Sequence, residues 1–237
     1  MAIFARNMAN SFFKFRQFTV WQDACAMKVG TDGTLLGAWA EGGMRILDIG
    51  TGTGLIAMML AQRFPQADVT GIDVEEGACV QARDNVQRSV FCGRVTIFHE
   101  PLQLFRRGSY DAIVCNPPFF VDALGCPDAS RNIARHASAL GYADLFDGVS
   151  RLVDDNGVFS CIIPFDCCER LEHAAVQSGM FISRICAVRT IPRKQPRRYL
   201  IAFRKHPCRV ETAEECLCDE EGKRSRWYGE LTKDFYL

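Results

Sequence analysis

Nowhere among the 237 residues do eighteen apolar positions run together, and a helix needs about that many to cross a bilayer. No membrane contact is expected. The opening stretch MAIFARNMANSFFKF has no apolar core followed by a small-residue cleavage site, so the reading is cytoplasmic. Net charge is lacking as well, since 28 basic side chains balance 28 acidic ones. That argues against a protein that coats nucleic acid indiscriminately and leaves room for a local basic face. There are twelve cysteines but no C-x-x-C pair, and of the four histidines only His206 lies near a cysteine, Cys208. A zinc site from Cys208, Cys216 and Cys218 is the alternative to reduced thiols packed as small hydrophobes; the plainer reading expects no metal. Internal repeats and low-complexity tracts are absent too.

What is present is a chain 48% hydrophobic, enough for a sizeable core. Residues 1–31 are polar and aromatic and read as an N-terminal extension; 32–237 read as a single domain. Asp32, an N-cap type, opens a short helix through Trp39. Strands and helices then alternate: strand 45–49, helix 55–64, strand 68–74, helix 76–89, strands 94–98 and 110–115. A 24-residue loop follows over 116–139, long enough to suggest a functional role. A helix near 141–153, strand 157–164, helix 167–179 and strands near 180–189 and 198–204 complete the pattern. Repeated βαβ units predict an α/β fold, a mostly parallel sheet with helices on both faces. The link between the last two strands is too short for a helical crossover, so that pair is expected to be antiparallel. Seven strands with one antiparallel resembles the Rossmann-like class I methyltransferases.

The stretch Leu47-Asp48-Ile49-Gly50-Thr51-Gly52-Thr53-Gly54 joins the first of these strands to a helix. Glycines there permit a tight turn and close approach of a ligand to helix N-terminal amides. Leu55 stands where a G-x-G-x-x-G fingerprint needs glycine, which counts against a dinucleotide. Asp73 ends the next strand, 19 residues after Gly54, where a carboxylate can accept both hydroxyls of a ribose. D-x-G-x-G-x-G with an acidic strand end is similar to the S-adenosylmethionine site of class I methyltransferases. That resemblance implies Asp48, Gly50, Gly52, Gly54 and Asp73 as cofactor residues. It also implies Glu100, just past the third strand, where this fold often carries a carboxylate near the adenine; an exposed turn acid is the alternative.

Cys115-Asn116-Pro117-Pro118-Phe119-Phe120 follows a buried strand. Two prolines forbid a helix and stiffen the exit. The piece Asn116-Pro117-Pro118-Phe119 resembles the N-P-P-aromatic motif of methyltransferases that act on a planar exocyclic nitrogen. Such a nitrogen is a poor nucleophile because its lone pair is delocalised. Two acceptors, the Asn116 side-chain oxygen and the Pro117 carbonyl, can each take one N–H and turn the lone pair outward. Phe119 offers a face for stacking, worth about 1–3 kcal/mol per base. Asn116 therefore faces both cofactor and substrate, and Asn116, Pro117 and Phe119 are the candidate catalytic residues. Adenine N6, guanine N2 and glutamine N5 all remain open on the motif alone.

FRQFTVWQDACAMKVGTDGTLLGAWA, LDIGTGTG, CNPPFF, Ala134-Arg135-His136 and the ending Leu231-Thr232-Lys233-Asp234-Phe235-Tyr236-Leu237 together resemble one family, the bacterial tRNA1(Val) adenine-37 N6-methyltransferases, over about residues 12 to 237. Trp21 departs from the pattern, where histidine is expected. The resemblance implies methylation of the adenine beside the anticodon, tRNA as partner with no obligatory protein partner, and a cofactor-side role for Asp32. Arg135 and His136 could order the loop or touch phosphate; no general base is required of His136.

From Arg184 to Arg209 the chain carries nine basic residues and no acid. Arg193, Lys194, Arg197 and Arg198 cluster at the expected hairpin turn, where they can grip phosphates. Arg6, Lys14 and Arg16 could extend that surface. The plain alternative is a solvated face balanced by the acids from Glu211 to Glu221. A guanine-N2 or protein glutamine-N5 methyltransferase is the enzymatic rival. From another class, a catalytically silent cofactor-binding subunit is disfavoured because the glycine loop and the Asn-Pro-Pro-Phe motif are both intact.

Overall fold

The computed structural model describes residues 11–23, 28–117 and 140–237. Near-continuous apolar runs make buried parallel strands. Such runs form β3 (Arg45–Ile49), β6 (Tyr110–Cys115) and the second half of β7 (Val153–Pro164), with β4 (Asp68–Asp73) and β5 (Val95–His99) more mixed, and β8 (Phe181–Arg189), β9 (Arg198–Arg204) and β10 (Glu211–Cys216) beyond them. The sheet order is β10-β8-β9-β7-β6-β3-β4-β5. β9 runs antiparallel to both its neighbours, and the other pairings are parallel. The doubly wound fold is as expected, including the antiparallel β8–β9 pair. It has one strand more than the expected seven, because the acidic run forms β10 along the edge of β8.

Helices cover both faces. α1 (Thr31–Trp39), α2 (Leu55–Arg63), α3 (Glu76–Gln87) and α6 (Arg226–Thr232) cover one; α4 (Tyr142–Leu152) and α5 (Cys168–Gln177) cover the other. Side-chain alternation feeds both cores: Ala112 and Val114 of β6 enter the first, Ile113 and Cys115 the second. Two arginines finish helices of the first layer. Arg63 donates to the carbonyls of Gly37 and Ala40 at 3.0 and 2.6 Å, and Arg94 to those of Ala61, Phe64 and Ala67. Such ends otherwise leave carbonyls without partners.

Before the sheet come two short antiparallel strands, β1 (Phe12–Lys14) and β2 (Thr19–Trp21). Phe15, Phe18 and Val20 bury into the first core. Arg16 N donates to the Phe235 carbonyl at 2.9 Å and Arg16 Nε to that of Tyr236, so the start and end of the described chain clasp each other. At the departure from the family pattern, the Trp21 backbone does the holding: its N–H and C=O both bond the Asn85 amide at 2.8 Å.

Candidate active site

β3 is the first strand of the doubly wound sheet. β4 and β5 lie to one side of it, β6 and the later strands to the other. Ligands of such sheets bind at the carboxyl ends where the order reverses. A cleft of about 1010 Å³ opens there, lined by the loop after β3, the ends of β4 and β6, the first turn of α1 and the β8–β9 connection.

The glycine loop is shaped by backbone conformation. Gly50, Gly52 and Gly54 have φ of 69, 55 and 80°, a region costly for residues with a Cβ. Gly54 is also the N-cap of α2. The Gly50 and Thr51 amides donate to the Ile72 carbonyl, tying the loop to β4. Asp73 Oδ2 accepts from Gly52 N at 2.9 Å and Oδ1 from Glu75 N at 3.0 Å. Asp73 lines the cleft, and each of its oxygens keeps further acceptor capacity for a hydroxyl pair. Glu100 lines the cleft beside it: its amide donates to the Asp73 carbonyl, and its carboxylate accepts from Arg107 at 3.4 Å.

Asp48 sits differently. It is fully buried beneath the loop, and its Oδ2 accepts from Thr51 Oγ1 at 2.7 Å and Ala57 N at 3.1 Å. Burial pushes its carboxyl up to about 7. Asp48 is a prop for the loop and does not line the cleft. Asp32 is not the cap of α1; Gly30 holds that position. Asp32 lies in the first turn, lines the cleft and accepts from Arg198 Nε at 2.7 Å.

Asn116 leaves β6 into the same cleft, and its Oδ1 is buried with no hydrogen-bond partner among the described residues. Buried polar atoms almost always have partners, so each exception needs a physical reason, and at Asn116 the cleft beside it offers one: room for a donor from a ligand. Pro117 follows it and is buried. Phe119, Arg135, His136 and Arg6 lie outside the described residues.

The basic run divides. Arg197 and Arg198 line the cleft, together with Arg189, while Arg193 and Lys194 are exposed on the turn. Arg189 fastens that turn by donating to the carbonyls of Pro192 and Lys194, and pairs with Glu214 of β10. Arg184, Arg204 and Lys205 are engaged elsewhere: Arg184 over the Trp39 ring at 3.7 Å, Arg204 with Glu41, Lys205 with Asp155. Among the described residues no three His, Cys, Asp or Glu side chains group as metal ligands. Lys28, Val29 and Thr190 also line the cleft; none of the three carries a local signal of its own, although Lys28 and Val29 lie in the family-like segment that includes Asp32.

Residues 33–140 match the model of the methyltransferase small domain. A tRNA1(Val) (adenine(37)-N6)-methyltransferase of Bacteroides thetaiotaomicron is 44% identical over 240 residues, covering 97% of this chain and 99% of that protein. One of Parabacteroides distasonis, with the same name, is 43% identical over 236 residues at the same coverage. Among solved structures, a predicted O-methyltransferase of Agrobacterium tumefaciens has a TM-score of 0.69 at 16% identity, over 86% of this chain and 96% of that one. That likeness concerns the fold alone.

Proposed function

The chain belongs to the tRNA1(Val) (adenine(37)-N6)-methyltransferase family, and on that premise we propose that it methylates N6 of adenine 37 in the anticodon loop of tRNA1(Val), with S-adenosylmethionine as donor. The observation that carries the chemistry is the buried Asn116 Oδ1, without a partner among the described residues, in the wall of the cleft that also holds Gly50, Gly52 and Asp73. The homologues' shared name favours adenine over guanine N2 or glutamine N5.

The residues fit the donor. The glycine loop brings backbone close to it, and Asp73 offers acceptors to its ribose. Glu100 and Asp32 flank the cleft, and Asp48 acts through the loop it supports. When bound, S-adenosylmethionine supplies a methyl group activated by its sulfonium. Asn116 Oδ1 and the Pro117 carbonyl accept the two N–H groups of the adenine amine and aim its lone pair, and the proline holds its carbonyl fixed. Phe119 stacks on the adenine, which must leave its own stack to reach it. Positioning and electrostatics carry the step, and because the nitrogen sheds its extra proton to solvent only after it has gained the methyl group, no strong base is required. Arg193, Lys194, Arg197 and Arg198 hold tRNA phosphates.

The protein works in the cytoplasm with tRNA as its partner and needs no second protein. Among the described residues no helix is long and apolar enough to cross a membrane. Residues 1–31 act as an extension to a single domain over 32–237, a division supported by the packing of Phe15, Phe18 and Val20 and by the Arg16 bonds to the chain's end.

The test is a nucleoside digest of total tRNA incubated with the purified protein and S-adenosylmethionine, beside Asn116→Ala. N6-methyladenosine from the wild type, lost in the variant, is the expected result. Methylguanosine, or label only in protein, would leave the cofactor site standing and overturn the substrate.

A further inference from the structure

Phe165 and Tyr199 lie outside the cleft and take no part in the chemistry above. Their rings stack with centroids 5.2 Å apart and planes 23° apart. Phe165 is 41% exposed. A lone exposed phenylalanine is ordinary, but three features set this one apart. It presents a stacked two-ring surface where a single ring would pack inward. It stands at the carboxyl end of β7, next to the strand that delivers Asn116. And it is joined to the basic hairpin, since Phe165 N donates to the Arg197 carbonyl at 3.1 Å.

Strand geometry fixes the spacing. Cys115 of β6 pairs in register with Cys161 of β7, and Pro164 with Arg198 of β9. Strands lie about 4.8 Å apart and rise about 3.3 Å per residue, which sets the Phe165 backbone roughly 11 Å from that of Asn116. A base held at Asn116 cannot also stack on Phe165, but the adjoining nucleotide of the same strand can. Arg198 and Tyr199 point to opposite faces of the sheet, the first to Asp32, the second into the core under α5. The carboxyl edge at β9 thus carries a charged side toward Asp32 and an aromatic side over the second core, and that core, through Ile49, Leu102, Cys115 and Leu140, also lines the cleft. The acids Asp166, in the 3-10 turn that Phe165 opens, and Glu169 of α5 follow, so the favourable charge for a phosphate comes from the hairpin, through Arg197.

We propose that Phe165, backed by Tyr199, is a stacking platform for the nucleotide adjoining the target adenine, and that it helps hold the adenine extruded. The proposal rests on the reading of the protein as an RNA adenine methyltransferase. Base–aromatic stacking tolerates any base, so the platform contributes grip more than sequence choice.

The experiment uses the full chain and an anticodon stem-loop RNA, with 2-aminopurine placed in turn on the 5′ and the 3′ side of the target adenine. Binding to the wild type should quench the fluorophore at one of these positions, and Phe165→Ala should abolish the quenching. Phe165→Ala should also raise KM for the RNA about tenfold while S-adenosylhomocysteine affinity stays unchanged, and Phe165→Trp should restore both readouts. Methylation by the wild type with equal KM for Phe165→Ala would overturn the platform alone. No methylation by the wild type would overturn the assigned function, and the platform with it.

Discussion

Arg198 Nε donates to Asp32 Oδ2 at 2.7 Å, joining residues 166 apart in sequence across the mouth of the cleft. The side chains remain 33% and 21% exposed, so the pair contributes only about 0–1 kcal/mol to stability. Its position matters more. It ties the start of β9, which follows the basic hairpin, to the first turn of α1 on the cofactor side. Charge reversal should therefore divide the hairpin in two. Arg193→Glu with Lys194→Glu should weaken tRNA binding at least tenfold at low salt, flatten its salt dependence and spare S-adenosylhomocysteine binding. Arg198→Glu should weaken both, because it sets a second carboxylate against Asp32 inside the cleft. Filter binding and calorimetry read the two affinities. Cofactor binding untouched by Arg198→Glu would separate the pair from the donor site.

Two glycines near the cleft should fail in different ways. Gly52 has φ +55°, and a Cβ there would meet nothing within 4 Å. Gly52→Ala should cost about 1–2 kcal/mol in backbone strain and raise the S-adenosylhomocysteine Kd at least tenfold, since the added methyl stands on the wall of the cleft. At Gly71 a Cβ would come within 2.7 Å of the Ile97 side chain and 2.8 Å of Thr51 Oγ1. Gly71→Ala should lower stability by about 1–3 kcal/mol through overpacking and move Kd less than Gly52→Ala does. Urea unfolding beside calorimetry compares the two, and equal Kd shifts would refute the distinction.

Arg63 offers a test confined to stability. Burial, and then the nearby Arg184 charge, lowers its pKa to about 10, while its guanidinium holds the carbonyls that end α1. Arg63→Ala leaves those carbonyls without their donor and should cost about 2–3 kcal/mol. Arg63→Lys, with one cationic head in place of a planar fork, should recover only part of the loss. Full recovery in the midpoint of unfolding would mean that charge alone matters there.

How much of this was legible in the sequence depends on what each element relies on. β3, β6 and β7 are apolar runs between breakers, and their burial follows from composition. β10, Glu-Thr-Ala-Glu-Glu-Cys, has no apolar alternation and is mostly exposed. It is a strand because the edge of β8 offers it six residues of parallel pairing and because Glu214 meets Arg189. A charged edge strand of this kind also protects a sheet from further pairing. The glycine loop and Asp73 were readable because glycine spacing and an acidic strand end are local signals. The buried location of Asp48 was not, since an acid next to a glycine loop looks the same in sequence whether it faces a ligand or props the loop. The splitting of the basic run was hidden for a similar reason. Strand direction sends Arg184, Arg204 and Lys205 toward the end of the sheet opposite Arg197 and Arg198.

Asp48 makes stability depend on pH in a direction unusual for a carboxylate. Burial pushes its pKa from 3.8 to about 7; the hydrogen bonds from Thr51 and Ala57 oppose the shift, and the charge of Asp73 adds to it. The folded value thus lies above the unfolded one. Between about pH 4 and 7 the folded protein keeps a proton that the unfolded chain releases. The contribution is complete below pH 4 and is lost as pH rises toward 7. A three-unit shift corresponds to an upper bound of about 4 kcal/mol. Asp48→Asn stays neutral throughout: its oxygen can take the place of Oδ2 toward Thr51 and Ala57, and its amide the place of Oδ1, which has no partner among the described residues. Urea unfolding of both proteins at half-unit steps from pH 4.5 to 7.5 isolates the residue, because all other titrating groups cancel in the difference. The stability of Asp48→Asn relative to wild type should climb by about 2–4 kcal/mol across that range. A constant difference would return Asp48 to an ordinary carboxylate pKa and would make the loop's support an ionised one.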